Sequence, residues 1–188
     1  MAAARQLFVE RGYHETRPQD IARAADLGHG TFYLHFADKR ACFLAFVEEA
    51  RNELQAEIER RMASDLDLGG LIRAILEASW DYGERNPGVI RAALTDISMI
   101  ANDTDAPTSL MRIWGEHWGQ IIETGIRNGR VHEGYDPTII GHAVIGFIVN
   151  AGTQTGGSPQ SHRLVIDNLT TFLTRALAPD QAITGRDT

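Results

Sequence analysis

Apolar positions along this chain recur at steps of three and four residues almost throughout, the spacing that lines one face of an α-helix. Ala4, Leu7 and Phe8 open the pattern, which stops at Gly12. Thr16-Arg17-Pro18-Gln19 reads as a capping box with proline early in the first turn. It opens a helix through Ala25, with Ile21, Ala22 and Ala25 on one face. Asp26-Leu27-Gly28 makes a short turn, and a third helix runs from His29 to Phe36. Asp38 is a good N-cap for a long fourth helix, whose stripe is Phe43, Val47, Ala50, Leu54, Ile58 and Met62.

Later boundaries are equally readable. Asn86-Pro87, Asp136-Pro137 and Ser158-Pro159 each set a capping residue before a proline at the first helical position. Asn128-Gly129-Arg130 ends the helix that carries Trp114 and Trp118, and polar links fall at 102–107 and 156–158. Signals for strands are nearly absent. The pattern predicts an all-α chain of about nine helices, with a small module at residues 1–46 and a larger helical bundle at residues 47–188.

Composition narrows the class. The chain has 188 residues, 43% of them hydrophobic, enough to bury a substantial core. No run approaches the roughly 18 apolar residues that span a bilayer, and the first residues lack the order of a secretory signal. A cytoplasmic protein is expected. Cys42 is the only cysteine, which excludes an internal disulfide or a thiolate metal cluster within one chain. Its place beside Phe43 and Phe46 makes it an inert buried thiol. No nucleophile elbow, P-loop, dinucleotide turn or metalloprotease motif appears, and the histidines show no metal-binding pair at helical spacing. The expectation is a protein that is not an enzyme and has neither metal nor cofactor.

A net charge of -7 argues at first against nucleic acid as a partner. The acidity is unevenly spread: residues 1–46 carry +1 and the remainder -8. His14, His29 and His35 add positive charge in the first segment where phosphate lies close.

Two short helices, a tight turn and a third helix rich in small and hydrogen-bonding residues form a helix-turn-helix pattern. The wording is specific. Leu7-Phe8, Gly12-Tyr13, Thr16, Ile21-Ala22, Ala24-Ala25, Gly30-Thr31-Phe32-Tyr33-Leu34-His35-Phe36 and Asp38-Lys39 resemble the tetracycline-repressor (TetR) family over the first quarter of the chain. Asp26 stands where that family usually has glycine, and Gly28 where it usually has serine; both suit their positions sterically. Gly30 lets the backbone approach DNA, and Thr31 offers a hydroxyl and a methyl to base edges or phosphate. Tyr33 and His35 project donors toward phosphate, as the resemblance implies. Lys39, the single lysine of the chain, brings an ammonium to the start of the fourth helix, and Thr16 and Arg17 open the second. His29, on the exposed side of the recognition helix, is the candidate base reader peculiar to this chain.

The resemblance implies that the C-terminal bundle binds a small molecule and pairs with a second copy through its last two helices. Residues 139–149 are apolar nearly all round, and Gly141 and Gly146 permit close helix approach. Ile140 and Val144, with Val165, Leu169, Phe172 and Ala176 of the last helix, are the candidate dimer stripe. Trp80, Met99, Trp114, Trp118 and Phe147 are candidates for an apolar cavity, with His117 and Asn150 as polar anchors. The expected partners are a palindromic operator in double-stranded DNA, a small apolar or aromatic ligand and a second copy, with no membrane. The implied function is repression relieved by the ligand; the alternative is a helical binding protein whose helix-turn-helix no longer holds DNA.

Overall fold

The computed structural model describes residues 1–62, 66–100, 110–154 and 159–179, with the backbone alone at residues 29, 95–100, 153, 154 and 159. The described residues form nine helices and no strand. They are α1 (Ala2–Glu15), α2 (Pro18–Ala24), α3 (His29–His35), α4 (Lys39–Arg61), α5 (Leu68–Arg85), α6 (Val89–Ile100), α7 (Leu110–Arg127), α8 (Pro137–Gln154) and α9 (Pro159–Leu177). None of them is long and apolar enough to cross a membrane. The expected links at 102–107 and 156–158 lie outside the described residues.

These helices divide into two compact units, one of Met1–Arg61 with Ala78–Leu110, the other of Met62–Glu77 with Met111–Thr188. Helix α5 contributes its first half to the second unit and its second half to the first.

The first unit is built on fully buried Phe8, Phe43 and Phe46. The Phe8 and Phe43 rings meet edge to face at 5.0 Å, and Phe46 lies 5.6 Å from Phe43. Each such ring contributes about 2–3 kcal/mol of burial, so the three outweigh any local propensity. Around them pack Leu7, Ile21, Ala22, Cys42, Val47, Val89 and Ala93. At Gly88 (φ 81°) a Cβ would stand 2.8 Å from Val9 Cγ1, so the turn before α6 lies directly against α1.

Chain direction is set by identifiable devices. Gly12 (φ 76°, ψ 174°) breaks the path of α1, leaving a last turn through Glu15. Helix α2 ends in a Schellman motif, with Leu27 N–H on the Ala22 carbonyl at 2.9 Å and Asp26 N–H on Arg23 at 3.1 Å. Asp26 takes the left-handed conformation there, φ 55°. Asp38 caps α4 through Ala41 N–H at 2.7 Å, and Asp136 caps α8 through Ile139 N–H at 2.9 Å, as expected. Two expected caps are corrected. Arg17, not Thr16, is the N-cap of α2, and Asn86 turns its side chain back to the Tyr82 carbonyl instead of capping α6.

In the second unit, Ile72, Leu76, Ile122 and Val131 are wholly or almost wholly buried, with Trp118, Val144, Ile148, Val165, Leu169, Leu173 and Leu177 around them. Helices α7 and α8 cross at their glycines: a Cβ on Gly141 would stand 2.5 Å from the Gly119 amide. Gly146 serves no such approach within the chain, since a Cβ added to it would meet nothing within 4 Å. The loop before α8 is tied to the end of α9 by Tyr135 Oη on the Ala176 carbonyl, 2.6 Å, and by His132 N–H on Leu177, 3.0 Å.

Candidate nucleic-acid interface

Helix α3 is anchored on one buried side chain. Phe32 is buried, with Tyr33 edge-on to it at 5.3 Å and Phe36 at 5.6 Å. Tyr33 is 51% exposed, His35 and Gly30 are exposed and Thr31 is half-buried. A Cβ at Gly30 would touch nothing within 4 Å, so no packing inside the chain demands glycine there. The His29 side chain lies outside the described residues. Arg17, before α2, is exposed.

Two candidates behave differently from expectation. Thr16 is fully buried, and its hydroxyl donates to the Gly12 carbonyl at 2.7 Å, with Leu7 O at 3.2 Å. It closes the broken end of α1 and has no surface to offer a phosphate. Lys39 reaches across to α1, donating from Nζ to Tyr13 O at 2.8 Å and His14 O at 3.3 Å, with the Tyr13 ring centroid 4.2 Å away. Its ammonium joins carbonyls of the last turn of α1 to the first turn of α4. It thereby fixes the angle between those helices as well as placing charge there.

Sequence reasoning missed two polar clusters that brace this unit. Arg5 on α1 donates to both carboxylate oxygens of Glu53 at 2.9 Å and to Asn86 Oδ1 at 2.8 Å, while Tyr82 Oη donates to Glu53 at 2.7 Å. The Arg5 hydrogen bond holds the Glu53 carboxyl below the usual carboxylate range. Burial, and then the same carboxylate, push the Tyr82 hydroxyl well up. Farther along α4, Glu57 is only 5% exposed and carries Arg60, Arg61 and Arg85, with Arg61 also paired to Asp81. The expected stripe therefore ends early: Glu57 takes the buried position, Ile58 is half-buried and Met62 is exposed. Arg60 and Arg61 lie one helical turn from Glu57, but the pairing of Arg5 with Glu53 and of Arg85 with Glu57 joins residues too distant in sequence to leave a periodic signal.

The candidates in the bundle are not gathered as expected. Trp118 is buried in the core of the second unit and Trp114, one turn away on α7, is half-buried. Trp80 belongs to the other unit, and the Met99 side chain lies outside the described residues. His117 and Asn150 are exposed, and Phe147 stacks on Phe172 at 5.0 Å with both rings about half exposed. An open pocket of about 360 Å³, lined by Asp67, Leu68, Gly69, Arg130, Thr174 and Ala178, includes none of them. The dimer stripe also needs correction. Val144, Val165 and Leu169 are buried within the single chain, and Ile140 is half-buried. The large apolar side chains left open among the described residues of α8 and α9 are Ile139, Phe147, Leu164 and Phe172, beside exposed Ala176.

Residues 1–46 match the profile of the bacterial regulatory proteins of the tetR family. An uncharacterised HTH-type transcriptional regulator of Bacillus subtilis (strain 168), YvdT, is 23% identical over 94% of this chain and 92% of its own. The HTH-type transcriptional repressor DhaR of Mycobacterium sp. (strain GP1) is 26% identical over 93% of this chain and 88% of its own. A solved structure describing the control of antibiotic production by bacterial hormones shares the fold, with a TM-score of 0.71 and 19% identity over 94% of each chain. Residues 1–46 carry the signature of the tetR family of bacterial regulatory proteins, and the chain over most of its length is similar to HTH-type transcriptional regulators.

Proposed function

We propose that this chain is a repressor that binds a palindromic operator as a homodimer in the cytoplasm and is released by a small molecule. Residues 1–46 would hold the DNA, and residues 47–188 would take the ligand and form the dimer. The observation that carries the reading is an α3 anchored by buried Phe32, with Gly30, Tyr33 and His35 exposed within the matched segment. On this reading α3 enters the major groove, Thr31 and His29 meet base edges, and Tyr33, His35, Arg17 and Lys39 meet phosphates. Thr16 shapes the support instead of touching DNA. Trp114 and Trp118, one turn apart on α7, support an apolar or aromatic ligand, which need only bind the DNA-competent and DNA-incompetent states with different affinity. The partner copy would cover Ile139, Phe147, Leu164 and Phe172.

The test is selection of tight-binding duplexes from random sequence, followed by fluorescence anisotropy of wild type, Tyr33→Phe, His35→Ala and Lys39→Ala across a salt series. Wild type should select a two-fold symmetric sequence, and each variant should bind it more weakly with a shallower salt dependence. A wild type that prefers no sequence to random DNA would sink the proposal and leave a helical binding protein.

A further inference from the structure

Leu34 is 83% exposed, the most exposed of the large apolar side chains described. It lies between Tyr33 and His35 on α3, where a solvated helix face ordinarily carries a polar residue. At about 100° of turn per residue, Gly30 and Leu34 both lie within about 20° of the direction opposite Phe32. The outermost line of α3 is thus a glycine with open space around it and, one turn on, a leucine that nothing covers. Half-buried Thr31 stands on one flank and exposed Tyr33 on the other.

From this register we infer that Leu34 determines part of the sequence specificity, by packing on the C5-methyl group of a thymine in the major groove of each half-site. The inference rests on the DNA-binding reading above. Leucine has no donor or acceptor, so it cannot read the hydrogen-bonding edge of any base. The thymine methyl is the one apolar feature that the major groove displays. Gly30 removes the side chain that would otherwise hold the helix axis away at the preceding turn, which brings Leu34 within van der Waals reach of the base edge.

The experiment uses the full-length protein and its selected operator. Thymines are replaced by uracil, which lacks only the C5 methyl, one symmetry-related pair at a time, and anisotropy is measured for wild type, Leu34→Ala and Leu34→Met. For one pair the wild type should lose about fourfold in affinity per half-site, about fifteenfold for both. Leu34→Met should keep most of that sensitivity, and Leu34→Ala should bind the thymine and uracil duplexes alike. The side chain is exposed, so the melting temperature should be the same in all three. Equal uracil sensitivity in wild type and Leu34→Ala at every position overturns the inference, as does an operator with no thymine in its half-sites. If Tyr33→Phe and Lys39→Ala weaken operator binding while Leu34→Ala leaves uracil sensitivity intact, only this inference fails. If no operator is selected, the functional reading falls with it.

Discussion

Thr16 shows how one hydroxyl can serve a DNA-binding module without reaching DNA. Gly12 breaks α1, and the Thr16 O–H supplies the donor that its carbonyl needs inside the core. Thr16→Val preserves the shape and removes that donor, so unfolding stability should fall by about 1–3 kcal/mol. The urea midpoint should drop with an unchanged slope, and Thr16→Ser should recover part of the loss. Operator affinity of the folded Thr16→Val protein should stay within twofold or so of wild type; a large loss of affinity without loss of stability would restore the phosphate role. Lys39 teaches the complementary lesson. Its residue type and position were legible from the sequence, but its engagement with the Tyr13 and His14 carbonyls was not, because it depends on how the end of α1 meets the start of α4 in three dimensions.

At the scale of elements, the crossing of α7 and α8 depends on Gly141 lying against the Gly119 amide and the Gly115 carbonyl. Gly141→Ala should force the helices apart and lower stability by about 1–3 kcal/mol, read as a fall in melting temperature. Gly146→Ala, with nothing within 4 Å, should instead stabilise α8 by about 0.5–1 kcal/mol. Sequence alone treated the two glycines alike, since spacing cannot say which one meets another backbone. The same limit explains the stripes. Helix existence and the caps at Asp38 and Asp136 follow from local chemistry and were legible. The phase of an apolar helix was not: in α9, Val165, Leu169 and Phe172 read as one stripe. The structure buries the first two and turns Phe172 outward with Leu164. In α4, Glu57 sits inside because three arginines surround it, a circumstance that no hydropathy pattern records.

For the whole molecule, the dimer proposal makes the most direct demand. Four large apolar side chains, Ile139, Phe147, Leu164 and Phe172, stand 47–67% exposed on α8 and α9. A double change, Leu164→Glu with Phe172→Glu, should yield folded monomers by sedimentation, with helical content unchanged and operator binding weakened by about a hundredfold or more. Val144→Ala, buried in the single chain, should instead lower stability and leave the association constant of the folded protein unaltered. A dimer that persists in the double variant would remove this face from the proposal. The charge distribution belongs to this scale too: with +1 on residues 1–46 and -8 elsewhere, long-range attraction to DNA is weak, so phosphate contacts at close range must carry most of the non-specific affinity.

The placement of Cys42 gives the molecule an internal gauge. The thiol is fully buried against the Phe43 and Phe46 segment of α4, and burial pushes its pKa up to about 11. A thiol reagent in solution can reach it only when the helices around the aromatic cluster come apart. Because it is the chain's only cysteine, the rate of labelling reports the opening of that one region, undiluted by any other site. The native sequence therefore carries a clock for how often its reading head loosens, and running that clock with and without operator would measure how far DNA stills it.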